Sequence, residues 1–129
     1  MSTQEFAGQT VLVVDDEPDN VNVISHILRF YGAKIYTARH GIEALSIMHS
    51  ILPDFILVDL SMPYMDGWEF LKNLRQYKWS ETLKVIAFTG HAMYGDREKV
   101  LEAGFNGYIP KPIKATGFVE DIKRILEQA

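Results

Sequence analysis

Five polar residues that could handle a phosphoryl group lie at or just after the ends of short apolar runs. Asp15 and Asp16 follow the run Val-Leu-Val-Val, Asp59 ends the run Phe-Ile-Leu-Val-Asp, and Thr89 and Lys111 follow two later runs. Three carboxylates in one crevice repel one another unless a cation neutralises them. Oxygen ligands with positions left for water suit Mg²⁺, and a lysine with a hydroxyl could balance the charge of a phosphoryl group. These residue types indicate a phosphoryl-transfer site with a carboxylate as the candidate nucleophile.

The apolar runs that precede these residues are typical of strands buried on both faces, as in parallel sheets. They begin near Thr10, Phe55, Leu83 and Tyr108, and an alternating run over 33–38 is typical of an edge strand. Helical periodicity separates the runs, so that five strands alternate with five helices. This order predicts an α/β fold with a parallel sheet, helices on both of its faces and right-handed crossovers. The carboxyl ends of such strands meet at one edge, where open α/β sheets bind ligands.

Proline, glycine and aspartate residues indicate where the predicted helices start and stop. The first helix is predicted to start at Pro18 and to stop before Gly32. Its apolar residues recur at helical spacing, and its polar residues, Ser25 among them, are expected on the outer face. Asp66 is predicted to cap the third helix, and residues 76–82 are predicted to form a polar loop.

Composition narrows the class of protein. The 129 residues suffice for one domain, and 47% hydrophobic with 23% charged residues is ordinary for a soluble globular chain. The net charge of −4 has no block of like charge, so no direct binding to nucleic acid or to a membrane surface is expected. The chain has no cysteine, and its N-terminus has no signal-peptide pattern. We therefore expect a cytoplasmic location.

Motifs in this order resemble the receiver domain of two-component response regulators, and in particular the chemotaxis-regulator-like receivers. They are Val-Val-Asp15-Asp16-Glu17, Asp59-Leu-Ser-Met-Pro63-Tyr-Met-Asp66-Gly67, Thr89-Gly90-His91 and Tyr108-Ile-Pro-Lys111-Pro112. The resemblance implies a receiver domain over residues 10–127, preceded by a short N-terminal extension over residues 1–9. It also implies a flavodoxin-like doubly wound sheet with strand order 2-1-3-4-5.

The resemblance implies a role for each residue at the strand ends. Asp59 would be the phosphorylation site. Asp16 would bind Mg²⁺ directly and Asp15 through a water molecule, with Asp59 and the backbone carbonyl of Ser61 completing the protein ligands. Lys111 would contact the phosphoryl group. Thr89 and Tyr108 would form the conformational switch.

The resemblance further implies the partners. The phosphoryl group would come from a histidine kinase or a histidine phosphotransfer protein, and the switch would change the surface that a downstream protein recognises. Such a domain catalyses only its own phosphorylation and dephosphorylation, so it is not an enzyme in the usual sense. We expect a monomer or a weak dimer.

Two alternatives remain open at the level of the sequence. The chain could be a receiver excised from a larger DNA-binding regulator or from a hybrid histidine kinase, although its start at Met1 and its end soon after the last helix favour a free-standing receiver. A more distant alternative is an aspartyl-phosphate phosphatase. That class needs two Asp residues separated by one residue at the end of the first strand, and the Asp15-Asp16-Glu17 spacing does not provide them.

Overall fold

The computed structural model describes residues 4–89, 96–111 and 113–128. The strands are β1 Thr10–Val14, β2 Lys34–Ala38, β3 Phe55–Asp59, β4 Lys84–Thr89 and β5 Gly107–Pro110. The helices are α1 Pro18–Phe30, α2 Gly41–Ile47, α3 Gly67–Leu74, α4 Asp96–Glu102 and α5 Ala115–Glu127, with a short 3₁₀ helix at Lys78–Ser80. All strand pairs are parallel in the order β2-β1-β3-β4-β5, which confirms the predicted fold.

Side chains that alternate along the central strands build one apolar core on each face of the sheet. In β1, Val11 and Val13 pack with residues of α1 and α5, whereas Leu12 and Val14 pack with residues of α2, α3 and α4. All four side chains are fully buried. Burial of such a side chain contributes roughly 1.5–3 kcal/mol, so the two cores together hold the sheet between its helix layers.

The last strand lies at an edge of the sheet, which explains why it can contain a proline. Pro110 has no backbone N–H to donate, and it ends β5, whose sole strand neighbour is β4. The start of the same strand lies close to α5. A Cβ atom on Gly107 would come within 2.5 Å of the Ile125 side chain, so glycine is needed at this position for the two elements to pack.

One prediction about a polar residue is wrong, and the predicted polar loop contains more structure than expected. Ser25 is buried (4% exposed) rather than on the outer face, and its hydroxyl has no hydrogen-bond partner in the described chain. It neighbours Ile24 and lies three residues before Leu28, so it falls within the buried arc of α1. The predicted polar loop over 76–82 contains the 3₁₀ helix and a fully buried Ser80. The Ser80 hydroxyl can be buried because the backbone carbonyl oxygens of Leu74 and Tyr77 both lie 2.7 Å away and share the one hydrogen bond that it donates.

The segment before β1 packs on the core. Phe6 is buried, with its ring centroid 5.8 Å from that of Phe55, and its backbone N–H donates to the carbonyl of Tyr31 at 2.8 Å. Glu5 forms an ion pair with Lys123 at 2.7 Å. The domain boundary at residue 10 stays a prediction. Within the described ranges, no helix is both long enough and apolar enough to cross a membrane.

Candidate functional site

The predicted site residues lie at one edge of the sheet because the strands that carry them are parallel. Val14 pairs with Val58, so Asp15 and Asp59 come next in the two neighbouring strands. Asp59 in turn pairs with Phe88 of β4. At the far side, Lys111 follows β5, and its backbone N–H donates to the carbonyl of Thr89 at 2.8 Å. The register alone therefore brings four strand ends together.

Alternation along the strands places Lys111 on the same face of the sheet as two of the acids. The Lys111 Nζ lies 3.3 Å from Asp59 Oδ2 and 3.5 Å from Asp15 Oδ2. It also lies 5.0 Å from the centroid of the Phe88 ring, close enough for a cation–π contact. Sequence reasoning missed Phe88 as part of the site. Its position beside Asp59 follows from the register of β3 and β4, which the sequence pattern does not specify.

The acids differ sharply in burial. Asp15 is 1% exposed and Asp59 is 4% exposed, whereas Asp16 is exposed. One oxygen of each buried carboxylate accepts a backbone hydrogen bond: Asp15 from the N–H of Glu17 at 3.0 Å, and Asp59 from the N–H of Ser61 at 3.2 Å. These bonds fix both carboxylates and leave the second oxygen of each directed toward Lys111.

Burial raises the pKa of Asp59 to about 6. The hydrogen bond from the Ser61 N–H opposes this shift, the negative charge of Asp15 adds to it, and the positive charge of Lys111 opposes it. The pKa is raised mainly because burial removes water from the Asp59 carboxylate, and the one Lys111 ammonium group faces two carboxylates in this crevice. The site therefore has a net demand for further positive charge.

The residues present fit a magnesium ion. Ligand oxygens of Asp15, Asp16 and Asp59 all lie within 4.8 Å of one another. Buried Asp15 Oδ2 makes no hydrogen bond with any described residue, and the Lys111 ammonium group lies 3.5 Å from it. A set of carboxylate oxygens, with one exposed member that leaves room for water, has the ligand chemistry of Mg²⁺. That these residues and the Ser61 carbonyl are its ligands stays a prediction.

The start of α3 holds the loop that follows Asp59. The Gly67 N–H donates to the carbonyl of Leu60 at 3.1 Å, and a Cβ atom on Gly67 would lie 2.6 Å from the carbonyl oxygen of Asp59. Asp66 caps the helix as predicted, because its Oδ1 accepts the N–H of Glu69 at 2.9 Å. The helix therefore begins directly against the backbone of the candidate nucleophile.

The predicted switch residues share the other face of the sheet. Thr89 follows Val85 and Ala87 along β4, and Tyr108 of β5 pairs with Ala87. Thr89 is 3% exposed, and Tyr108 is half-buried against the core formed with α2, α3 and α4. The remaining predicted motif residues, Gly90, His91 and Pro112, lie outside the described residues.

Comparison with known proteins agrees with this geometry. The family model of the response regulator receiver domain matches residues 11–123. The polar-differentiation response regulator DivK of Brucella anthropi is 34% identical over 121 residues, which span 94% of this chain and 98% of that protein.

Solved structures give the same result. A receiver domain of a sensor histidine kinase from Pseudomonas aeruginosa, with a magnesium ion coordinated in its active-site cleft, superposes with a TM-score of 0.84 at 34% identity and covers 95% of this chain and 100% of that one. A chemotaxis response regulator of Vibrio cholerae superposes with a TM-score of 0.85 at 28% identity over 92% of this chain and 98% of that one. The chain belongs to the response regulator receiver domain family.

Proposed function

We propose that Asp59 accepts a phosphoryl group from a phosphorylated histidine of a kinase or phosphotransfer protein, and that this modification switches a protein-interaction surface. The observation that carries the proposal is the buried Asp59 carboxylate, with Lys111 Nζ at 3.3 Å and two further acids at adjacent strand ends. A buried carboxylate beside one cation and two anions does not by itself stabilise the fold, since burial raises its pKa and so disfavours its charged form.

The transfer exchanges one bond to phosphorus for another. An Asp59 carboxylate oxygen attacks the phosphorus while the bond from phosphorus to the donor nitrogen breaks, and that electron pair leaves with the imidazole, which takes up a proton. Lys111 balances the negative charge of the phosphoryl oxygens. Hydrolysis reverses the modification when water attacks the phosphorus and the Asp59 oxygen leaves as a carboxylate.

Asp15, Asp16, Asp59 and the Ser61 carbonyl would hold Mg²⁺ in this site. The bound ion would neutralise phosphoryl charge that Lys111 alone leaves uncompensated. The support for this assignment is the cluster of three acids and the absence of a hydrogen bond to Asp15 Oδ2 from the described chain. The magnesium ion in the related Pseudomonas aeruginosa receiver is consistent with it.

The signal would leave the site through Thr89 and Tyr108. A phosphoryl group on Asp59 offers a new acceptor for the Thr89 hydroxyl, and it biases only conformations that it contacts differently. Tyr108 lies on the same face, two pairs back along the adjoining strands, where it pairs with Ala87. It lines a cleft of about 310 Å³ with residues of α4 and α5, among them Arg97, Leu101 and Arg124. That cleft is the surface that a downstream protein would contact.

Phosphorylation in vitro tests the proposal. The purified chain is incubated with acetyl phosphate and Mg²⁺, and intact-mass spectrometry measures the addition of one phosphoryl group, with EDTA as the metal-free control. Asp59→Asn should remove the modification because the amide is a poor nucleophile. Asp54→Asn is the matched control, because Asp54 lies at the opposite end of β3 and its contact with the Thr10 N–H survives in an amide. Equal phosphorylation of the parent and Asp59→Asn would show that Asp59 is not the acceptor.

A further inference from the structure

Tyr64 adopts a backbone conformation that its side chain does not favour. Its φ angle is +66°, and among the described residues no other non-glycine residue has a positive φ. The turn around it closes with a hydrogen bond from the Met65 N–H to the carbonyl of Pro63 at 2.7 Å. For a residue other than glycine or asparagine this region costs roughly 1–2 kcal/mol. The turn by itself would be more stable with Gly or Asn at this position.

Burial of the side chain does not offset this conformational cost. The Tyr64 side chain is 84% exposed, more than any other large hydrophobic residue of the described chain. Its ring contact is with His40, edge to face, with centroids 5.2 Å apart. His40 is itself fixed, because its Nδ1 accepts the N–H of Glu43 at the start of α2. An aromatic ring is thus held in a defined orientation while most of its surface faces water.

The position of the ring explains what it can contact. The loop that carries Tyr64 runs from Asp59 to Gly67, and His40, which the ring contacts, follows β2. The ring therefore lies at the same carboxyl edge of the sheet as Asp59, on the rim of the proposed acceptor site. A further hydrogen bond, from the Gly41 N–H to the Met65 carbonyl at 3.3 Å, ties this rim to α2. A small donor such as acetyl phosphate covers far less surface than a protein does, so it need not contact the Tyr64 ring. Because Asp59 is only 4% exposed, a protein that delivers a phosphoryl group from a histidine must bring its own surface against the loops around the site.

We propose that Tyr64 is a docking residue for the protein phosphodonor and contributes to the choice between donors. The partner is a protein surface that presents a phosphohistidine beside an apolar patch able to cover the Tyr64 ring. Pre-oriented aromatic side chains are the residues that most often carry binding energy at interfaces, because little side-chain entropy remains to be lost. This inference rests on the proposed function, since it assumes that Asp59 receives its phosphoryl group from a histidine.

The test compares a protein donor with a small one. Purified, autophosphorylated histidine kinases and phosphotransfer proteins from the organism that encodes the chain are screened, and the fastest donor is compared with acetyl phosphate. The variants are Tyr64→Asn, which suits the left-handed turn but removes the ring, and Tyr64→Phe, which keeps it. Tyr77→Asn is the matched control: it removes another exposed tyrosine (43% exposed), between α3 and β4, at the opposite end of the sheet.

We expect Tyr64→Asn to lower kcat/KM for the protein donor about tenfold, as for an interface hot spot, and to leave the acetyl phosphate rate unchanged. Tyr64→Phe and Tyr77→Asn should behave as the parent with both donors. An equal loss with both donors, or no loss with either, would overturn the inference. So would a parent that accepts phosphoryl groups from acetyl phosphate but from none of the proteins. A parent that accepts them from neither source would instead contradict the proposed function.

Discussion

Asp59 is subject to two opposing requirements. As the proposed nucleophile it must be ionised, yet its burial and the neighbouring charge of Asp15 favour the protonated form and raise its pKa to about 6. The contacts with Lys111 and with the Ser61 N–H only partly reverse this. Without metal, the ionised Asp59 carboxylate therefore destabilises the folded protein, as perturbed groups at functional sites often do.

This cost predicts a stability difference that depends on pH. The increase in pKa from 3.8 to about 6 corresponds to up to about 3 kcal/mol that ionised Asp59 costs the folded state at neutral pH. Because the folded state binds the proton more tightly, this cost appears as pH rises from about 4 to about 6. Asp59→Asn should therefore be more stable than the parent at pH 7 without metal, and the difference should shrink toward pH 4. Urea unfolding at both pH values measures it, and an unchanged difference would contradict the assignment.

A second prediction concerns the exposed acid. Asp16→Ala should weaken Mg²⁺ binding by about tenfold or more, because it removes a proposed direct ligand and one of the negative charges that attract the ion. Asp19→Ala is the control, since Asp19 is also exposed in the first turn of α1 but is not a member of the acidic cluster. Calorimetric titration measures both. Unchanged Mg²⁺ affinity in Asp16→Ala would exclude Asp16 as a ligand.

At the scale of elements, Gly67 at the start of α3 has less room for a side chain than Gly41 at the start of α2. Both are buried glycines. A Cβ atom on Gly67 would meet backbone atoms of Asp59 and Leu60 at 2.6 and 2.9 Å, whereas one on Gly41 would meet the Met65 side chain at 2.7 Å. A flexible methionine can move aside, but the end of β3 cannot move without displacing Asp59, the proposed acceptor.

This contrast gives a matched pair of variants. Gly67→Ala should cost about 1–3 kcal/mol of unfolding free energy, as overpacking usually does, and should also weaken Mg²⁺ binding because the Asp59–Leu60 backbone shifts. Gly41→Ala gains the same helix propensity but should cost less and leave Mg²⁺ affinity intact. Urea unfolding and calorimetric titration of the two variants decide the point. Similar losses in both would mean that the contact at Gly67 does not position the site.

At the scale of the whole molecule, β4 and β5 connect the site, at their carboxyl ends, to the cleft beside Tyr108, which residues of α4 and α5 line. We predict that beryllofluoride, which mimics the bound phosphoryl group, changes backbone amide shifts at Thr89, at Tyr108 and along α4 and the facing side of α5. The physical reason is that Thr89 and Tyr108 occupy the same face of adjoining strands, so a movement of one alters the space available to the other. Changes restricted to α1 and α2 would contradict this route.

Beryllofluoride also allows a test of the oligomeric state. We expect the chain to remain a monomer or a weak dimer with and without beryllofluoride. Analytical ultracentrifugation over a range of protein concentrations measures this, and a stable dimer formed only with beryllofluoride would show that a second copy is the partner of that surface.

The sequence by itself determined where each strand ends and which polar residue follows it. The runs before Asp15, Asp59 and Thr89 are apolar and short, and a buried strand needs little more than that to be recognised. Once the strands are parallel, their carboxyl ends must meet, so the membership of the site could be predicted from local pattern. The order of the strands came from the resemblance to receiver domains.

Tertiary structure alone decided burial and backbone strain, because both depend on neighbours that are distant in the chain. Ser25 looks like an outer residue of α1 until the helix packs against the sheet, and Phe6 looks like part of a tail until it meets Phe55. The position of Phe88 under Lys111 depends on the register between strands. The left-handed backbone of Tyr64 depends on the loop that connects Asp59 to the start of α3. Tyrosine does not favour this conformation, so the sequence could not predict it.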